Sequence, residues 1–253
     1  MRTAYAAAPL ALALRATVGK DLWTFGSGFY TGPVNNAHIT KATWSVVPPS
    51  VPRGATAQDA DDQPWVALWL GLQHTSGDSN SCLYQPILNW SPDQTAENCP
   101  AGPDEWCVAA STYTPHGQTT QAYIPVPKGT QLDFEGMLQP QSVVRAEDDQ
   151  VHQIVTMDGK VVSKETVDLD AKLLYLYSGN ECYTGSGACG TLEAYNWENI
   201  TVHLSAEDER FPRTLNLFKG TKSPGFTTPD GGRTWHADTV TIPKDSWINP
   251  QVA

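Results

Sequence analysis

The sequence predicts an all-β protein, a two-sheet antiparallel β-sandwich or jelly roll, and three observations carry that expectation. Short apolar or alternating segments recur along the chain, each bounded by Gly, Pro, Asn or Asp. Nine Trp and nine Tyr accompany 20 Gly and 19 Pro in 253 residues, a mixture that favours strands and turns. The segments are not separated by the helical stretches that βαβ units need. A chain of this length can bury a substantial core as one large domain.

Taken in order, residues 1–18 read as a possible signal segment. Arg2 precedes an Ala/Leu run that reaches Leu14, interrupted by Pro9. The plainer alternative is a short frayed helix. Nothing in the chain approaches the roughly 20 apolar residues that span a bilayer. Residues 19–253 read as a single sandwich domain. Strands are expected at His38 to Val46, Trp65 to Leu72, Leu83 to Trp90, Cys107 to Tyr113, Gln131 to Leu138, Val151 to Met157, Leu173 to Tyr177, Thr191 to Tyr195 and Ile200 to Leu204. The Pro-rich stretch from Pro48 reads as a surface loop. Met157-Asp158-Gly159-Lys160 reads as a hairpin, because Asp-Gly supplies the positive φ of a tight turn. Ser205 to Arg210 is the one helical candidate, with Ser205 as N-cap and acids in its first turn. The tail after Phe218 reads as irregular. Within it, Thr228-Pro-Asp230-Gly-Gly-Arg-Thr234-Trp235 fits the Asp-box pattern of propeller blades, but a single copy reads as a turn held by the Asp230 carboxylate.

Composition narrows the function. Sixteen Lys and Arg against 27 Asp and Glu give a net charge of -11, which repels phosphate backbones and anionic membranes. Neither nucleic acid nor membrane is expected as a partner. Five cysteines point to export. Cys182 with Cys189 and Cys99 with Cys107 are plausible local disulfides, leaving Cys82 over; Cys82 with Cys99 is the alternative. No Cys-x-x-Cys occurs and the six His are scattered, so no metal and no cofactor is expected. Asn89-Trp90-Ser91 and Asn199-Ile200-Thr201 are glycosylation sequons. There is no Gly-x-Ser-x-Gly nucleophile motif.

The chemistry suggested by the pattern lies on strand faces, since side chains alternate across a strand. Val66, Leu68, Leu70 and Leu72 form one face of their segment. Trp65, Trp69 and Gln73 form the other, with Ala67 and Gly71 between them. Leu83, Gln85, Ile87 and Asn89 share a face, as do Thr191, Glu193, Tyr195 and Trp197. If these faces adjoin they form an aromatic-lined groove with Trp69, Gln85 and Glu193 in it; otherwise they are ordinary solvated surface.

Ala67-Leu-Trp69-Leu-Gly-Leu-Gln73, Leu83-Tyr-Gln85-Pro-Ile-Leu-Asn89-Trp90 and Thr191-Leu-Glu193-Ala-Tyr195 occur in the order of the motifs of the fungal glutamic peptidases, the eqolisins. The stretch from Ile39 to Pro48 resembles that family's entry strand. The resemblance spans roughly residues 22 to 220. It implies a concanavalin A-like sandwich and a secreted acid endopeptidase. It also implies a dyad of Gln85 and Glu193, with Trp69 lining the cleft and Trp65, Gln73, Asn89 and Tyr195 as substrate-binding neighbours. A carboxylate at Glu193 would take a proton from the attacking water, and the Gln85 amide would hold the oxyanion. Gln73 and Asn89 stand where the family has Asp, and Ser111 to Pro115 replaces a Tyr-Glu-Trp-Tyr-Pro stretch. A non-catalytic sandwich that binds carbohydrate or another partner through the same groove is the alternative. A third is a glycosidase using Glu135 and Glu193, which would need a defined carboxyl separation. The partner is thus a polypeptide or a glycan, and the chain is expected to act as a monomer.

Overall fold

The computed structural model describes residues 23–75, 80–95, 98–140 and 149–247; the possible signal segment at residues 1–18 lies outside them. Two antiparallel sheets form a β-sandwich. The first is built around β3 (Trp65–Gln73). On one side β3 pairs with β13 (Tyr175–Tyr183), then β1 (Trp23–Thr31), then β16 (Asn216–Phe218). On the other side it meets β4 (Leu83–Tyr84) and β5 (Ile87–Trp90). From β4 the sheet continues to β7 (Ser111–Thr114) and β8 (Gly117–Thr120); from β5 it continues to β6 (Trp106–Ala109) and β9 (Ile124–Val126). The second sheet runs β12 (Lys160–Asp168), β11 (Asp149–Met157), β10 (Leu132–Pro140), β2 (Ile39–Val46), β15 (Tyr195–Leu204), β17 (Thr234–Ile242). A separate ribbon pairs β14 (Gly190–Leu192) with β18 (Asp245–Trp247).

The core lies between the sheets. Val66, Leu68, Leu70 and Leu72 of β3 are buried there, as the alternation predicts, and so are Trp44, Phe134 and Trp197 of the second sheet. Trp44 stacks on Phe134 at 5.9 Å, and Phe134 meets Trp197 edge-on at 6.2 Å. Burying each large apolar side chain stabilises the fold by about 1.5–3 kcal/mol. At the β12 margin the layers are joined by polar groups instead. The buried Glu165 carboxyl accepts hydrogen bonds from Thr112 Oγ1 (2.7 Å), Gln153 Nε2 (3.0 Å) and Gln121 Nε2 (3.3 Å). Disulfides close Cys99 to Cys107 and Cys182 to Cys189, so the local pairing holds and Cys82 is free. No helix among the described residues is long and apolar enough to cross a membrane.

Several elements differ from expectation. The single segment from Leu83 to Trp90 is split at Gln85 and Pro86, because Pro has no N–H for the ladder. The strand expected at Leu173 to Tyr177 instead runs Tyr175–Tyr183, through Ser178-Gly179-Asn180. Ser205 to Arg210 is not a helix. Ser205 Oγ accepts from the His38 amide, and the Asp208 carboxyl accepts from the Asn35 amide and, two residues on, the Arg210 amide, so Ser205 bonds another segment instead of capping a helix; a short 3-10 turn, Phe211–Thr214, follows. The tail is not irregular: it supplies β17 and β18, with Trp235, Val240 and Ile242 in the core. The Asp158-Gly159 hairpin forms as expected, both residues at positive φ. So does the Asp230 turn. Its carboxylate accepts from the Arg233 and Thr234 amides and is held down to about 2 by those bonds.

Candidate active site

The face of β3 turned away from the core carries Trp65, Ala67, Trp69, Gly71 and Gln73. Register extends this face into rows across the sheet. Glu181 of β13, Ala67 of β3 and Asn89 of β5 lie side by side, and the next row is Gly179, Trp69 and Ile87. Tyr183 and Trp65 make the row beyond Glu181; Tyr177 and Gly71 make the row beyond Gly179. Gln85 enters beside Gly71, where a Cβ would stand 2.8 Å from Gln85 Cβ and 2.5 Å from the Tyr84 carbonyl oxygen.

Several of these outward residues are nevertheless buried, while Trp65, Tyr177, Glu181 and Tyr183 are partly buried. Trp69 is 4% exposed, Gln85 4% and Asn89 2%. Tyr113, Tyr123, Tyr177 and Trp65 pack around Ala67, Trp69, Leu83 and Ile87, so the floor is sunk between aromatic walls. Trp69 can lie across β13 only because Gly179 has no side chain: a Cβ there would meet the indole at 2.9 Å. The ring then meets Tyr177 edge-on at 5.2 Å. Beyond Glu181, Trp23 meets Trp65 at 4.8 Å and Trp65 stacks on Tyr183 at 6.0 Å, with Trp23 48% and Phe25 54% exposed.

The polar groups of this floor are not satisfied within the protein. Trp69 Nε1, Gln85 Oε1 and Asn89 Oδ1 are buried with no hydrogen-bond partner. Buried polar atoms are ordinarily paired, so three orphans on one face mark a place where water or a ligand supplies the partners. Glu181 is the carboxyl among them. Burial pushes it up to about 7 from the ordinary carboxylate range. The neighbouring Trp69 N–H opposes that shift slightly without reaching full hydrogen-bond geometry. Among the described residues no cation pairs with it.

Five of the seven residues expected at the site share this face: Gln85, Trp69, Trp65, Gln73 and Asn89. Gln73 lies at its far end, its amide 3.5 Å from Thr75 Oγ1. Glu193 and Tyr195 are elsewhere. Glu193 falls in the break between β14 and β15, its side chain 44% exposed and 3.5 Å from Lys244. Its neighbour Leu192 is in the core and pairs with Asp245, which bonds Ser27 and Asn180 on the core side of β13. Tyr195 is likewise internal, donating to Asn180 Oδ1 at 2.7 Å. The strand break removes the alternation that would have put Glu193 and Tyr195 on one open face. Glu135 lies on the second sheet, paired with Lys41. Glu181 was legible only as the fourth of five alternating residues from Tyr175 to Tyr183, a pattern hidden by the turn-like Ser178-Gly179-Asn180. The Asn89 sequon is buried at the site, whereas Asn199 is exposed on a bulge of β15.

No group of three or more His, Cys, Asp or Glu that could hold a metal occurs among the described residues. Comparison with known proteins returned no matching family model and no match among the curated proteins.

Gly71 offers a direct check on the floor. Gly71→Ala should force the Tyr84–Gln85 backbone away from β3. Unfolding by urea should show a loss of about 1–3 kcal/mol, the usual cost of overpacking. An unchanged midpoint would mean that this backbone approach is not tight.

Proposed function

We propose that the chain is an exported endopeptidase in which Glu181, in the role sequence reasoning gave to Glu193, moves the proton. The observation that supports this is a partly buried carboxyl of raised proton affinity, beside the Trp69 N–H, on the same floor as unpartnered amide oxygens at Gln85 and Asn89. A peptide offers both the N–H groups and the carbonyls those orphans require. The two disulfides accord with export. As carboxylate, Glu181 takes a proton from water while the water oxygen bonds to the scissile carbonyl carbon, and an amide N–H of the floor holds the oxyanion. The protonated Glu181 then donates to the amide nitrogen as the C–N bond breaks, releasing an acid and an amine. The half-exposed Trp23 and Phe25 beside Trp65 suit a bulky apolar side chain of the substrate. The same rings could stack on sugars, which favours glycan binding as the second reading.

The test is cleavage of a denatured protein across acid to alkaline pH by the wild type, Glu181→Gln and Glu193→Gln. Because the free carboxyl titrates at about 7, kcat/KM should rise through that value and then level, so the working range lies nearer neutrality than an acid peptidase's. Glu181→Gln should be inactive and Glu193→Gln active. The reverse result would return the role to Glu193. A folded wild type that cleaves nothing but binds oligosaccharide would support the second reading.

A further inference from the structure

The two sequons, Asn89-Trp90-Ser91 and Asn199-Ile200-Thr201, lie on opposite faces of the sandwich, and the fold treats them differently. Resting on the export part of the proposed function and not on its chemistry, we infer that the chain carries an N-linked glycan at Asn199 and none at Asn89, and that this glycan covers the outer face of the second sheet. Asn199 belongs to a bulge of β15. The pairing with β2 runs Trp197 to Val46 and Glu198 to Ser45, then resumes at Thr201 with Thr43, so Asn199 and Ile200 together stand against Trp44. Ile200 turns into the core and Asn199 is left exposed. Its φ of 53° is positive, a conformation that Asn adopts more readily than most residues. Around it the outward side chains of Thr43, Ser45, Asp133, Glu135 and Thr156 line a shallow groove of about 360 Å³. Hydroxyls and carboxylates of this kind suit the hydroxyl groups of a sugar.

Asn89 is the opposite case. It is 2% exposed and paired with Ala67 on one side and Cys107 on the other, and Cys107 is tied to Cys99. An oligosaccharide on that nitrogen could not be packed into an interior of native density, so the chain that folds is the one left bare at Asn89. At Asn199 the order of synthesis helps: β17, one of the two neighbours of β15, is made after it, so the sequon emerges as open chain. In the transfer, Asn199 Nδ2 bonds to the anomeric carbon of an oligosaccharide carried on a lipid diphosphate. The carbon–oxygen bond to the diphosphate breaks, the lipid diphosphate leaves with that electron pair, and the nitrogen gives up one proton. Thr201 supplies the hydroxyl that the acceptor tripeptide requires; in the folded chain it settles 3.0 Å from His236 Nδ1. The floor on the first sheet stays uncovered.

The experiment secretes the full chain, with its own residues 1–18, from cultured eukaryotic cells. Protein from the medium is digested with peptide-N-glycosidase in heavy-oxygen water, which turns each modified Asn into labelled Asp. The label is expected at Asn199 and not at Asn89. Asn199→Gln and Thr201→Ala should each lose the glycan, whereas Thr201→Ser and Asn89→Gln should keep it. Coupling of carboxyls to glycine ethyl ester by a carbodiimide then compares the wild type with Asn199→Gln. Glu135 should react more in the variant, and the exposed Asp104, beside the first sheet, equally in both. Secreted protein without label at Asn199, or with label at Asn89, would overturn the assignment and leave export in place. Equal Glu135 reactivity would overturn the covering of the second sheet. A chain retained in the cell and unmodified would remove export and the glycan with it, while the peptidase chemistry is decided separately by Glu181→Gln.

Discussion

Glu181→Gln is expected to abolish turnover and, at alkaline pH, to make the protein more stable. The activity loss should be about 10²–10⁴-fold, the range for removing a positioned general base. The stability gain follows from the same burial that raises the carboxyl to about 7. The folded state binds this proton more tightly than the unfolded chain, whose carboxyl titrates near its ordinary 4.5. Below that value both states hold the proton and the group is neutral to stability. Between 4.5 and about 7 only the unfolded state releases it, so stability falls as pH rises. Above about 7 the folded state carries a desolvated charge at a cost of roughly 3 kcal/mol. A neutral amide of the same shape escapes that cost. Urea unfolding at about pH 8 should therefore favour the variant, whereas the two proteins should coincide near pH 4. Equal stability at both would mean that the carboxyl is not desolvated, and the basis for its role as base would go with it.

Asp245→Ala should be among the most damaging single substitutions for the fold. The carboxyl is buried, accepting from the Ser27 amide (2.8 Å), Ser27 Oγ (2.8 Å) and Asn180 Nδ2 (2.7 Å). It thereby joins β18 to the bulge of β1 and to β13. Asn180 in turn accepts from Tyr195. Alanine would leave at least two buried donors unpaired, which costs about 3–5 kcal/mol. For a protein of this size the melting temperature should fall by roughly 10–15 °C. Scanning calorimetry decides it; a fall below about 3 °C would mean that water replaces the carboxylate freely.

The layered architecture and most of the site's floor could be read from alternation alone. β3 is the clearest instance: four apolar residues inward, with Trp65, Trp69 and Gln73 outward, as the sequence pattern predicts. Residues near it in sequence, Gln85 and Asn89, were placed on the correct face for the same reason. The carboxyl was not, because its strand passes through Ser178-Gly179-Asn180. Gly179 is there for the Trp69 indole rather than for a bend, and that requirement becomes visible only when β13 lies beside β3. The opposite error came at Leu192, where period two is interrupted before Tyr195 and Glu193 turns toward Lys244. The strands of the tail are not legible in the sequence because Gly- and Pro-rich linkers surround them.

The pairing of β3 with β13 has a bearing on how the chain reaches its native state. Trp69 meets Gly179 some 110 positions later, and the second sheet likewise joins β2 to β15 across about 155 residues. Contacts of such sequence separation must close large loops before they contribute any stability, so folding is expected to be slow. During synthesis, β3 would emerge with its neighbour still unmade, an apolar strand presenting open hydrogen-bonding groups to other chains. Glu181 arrives long after the floor beside it, so no early fragment holds the whole candidate site. On the proposed reading, the nascent chain would be inert toward its own unfolded sequence at least until Glu181 had been made.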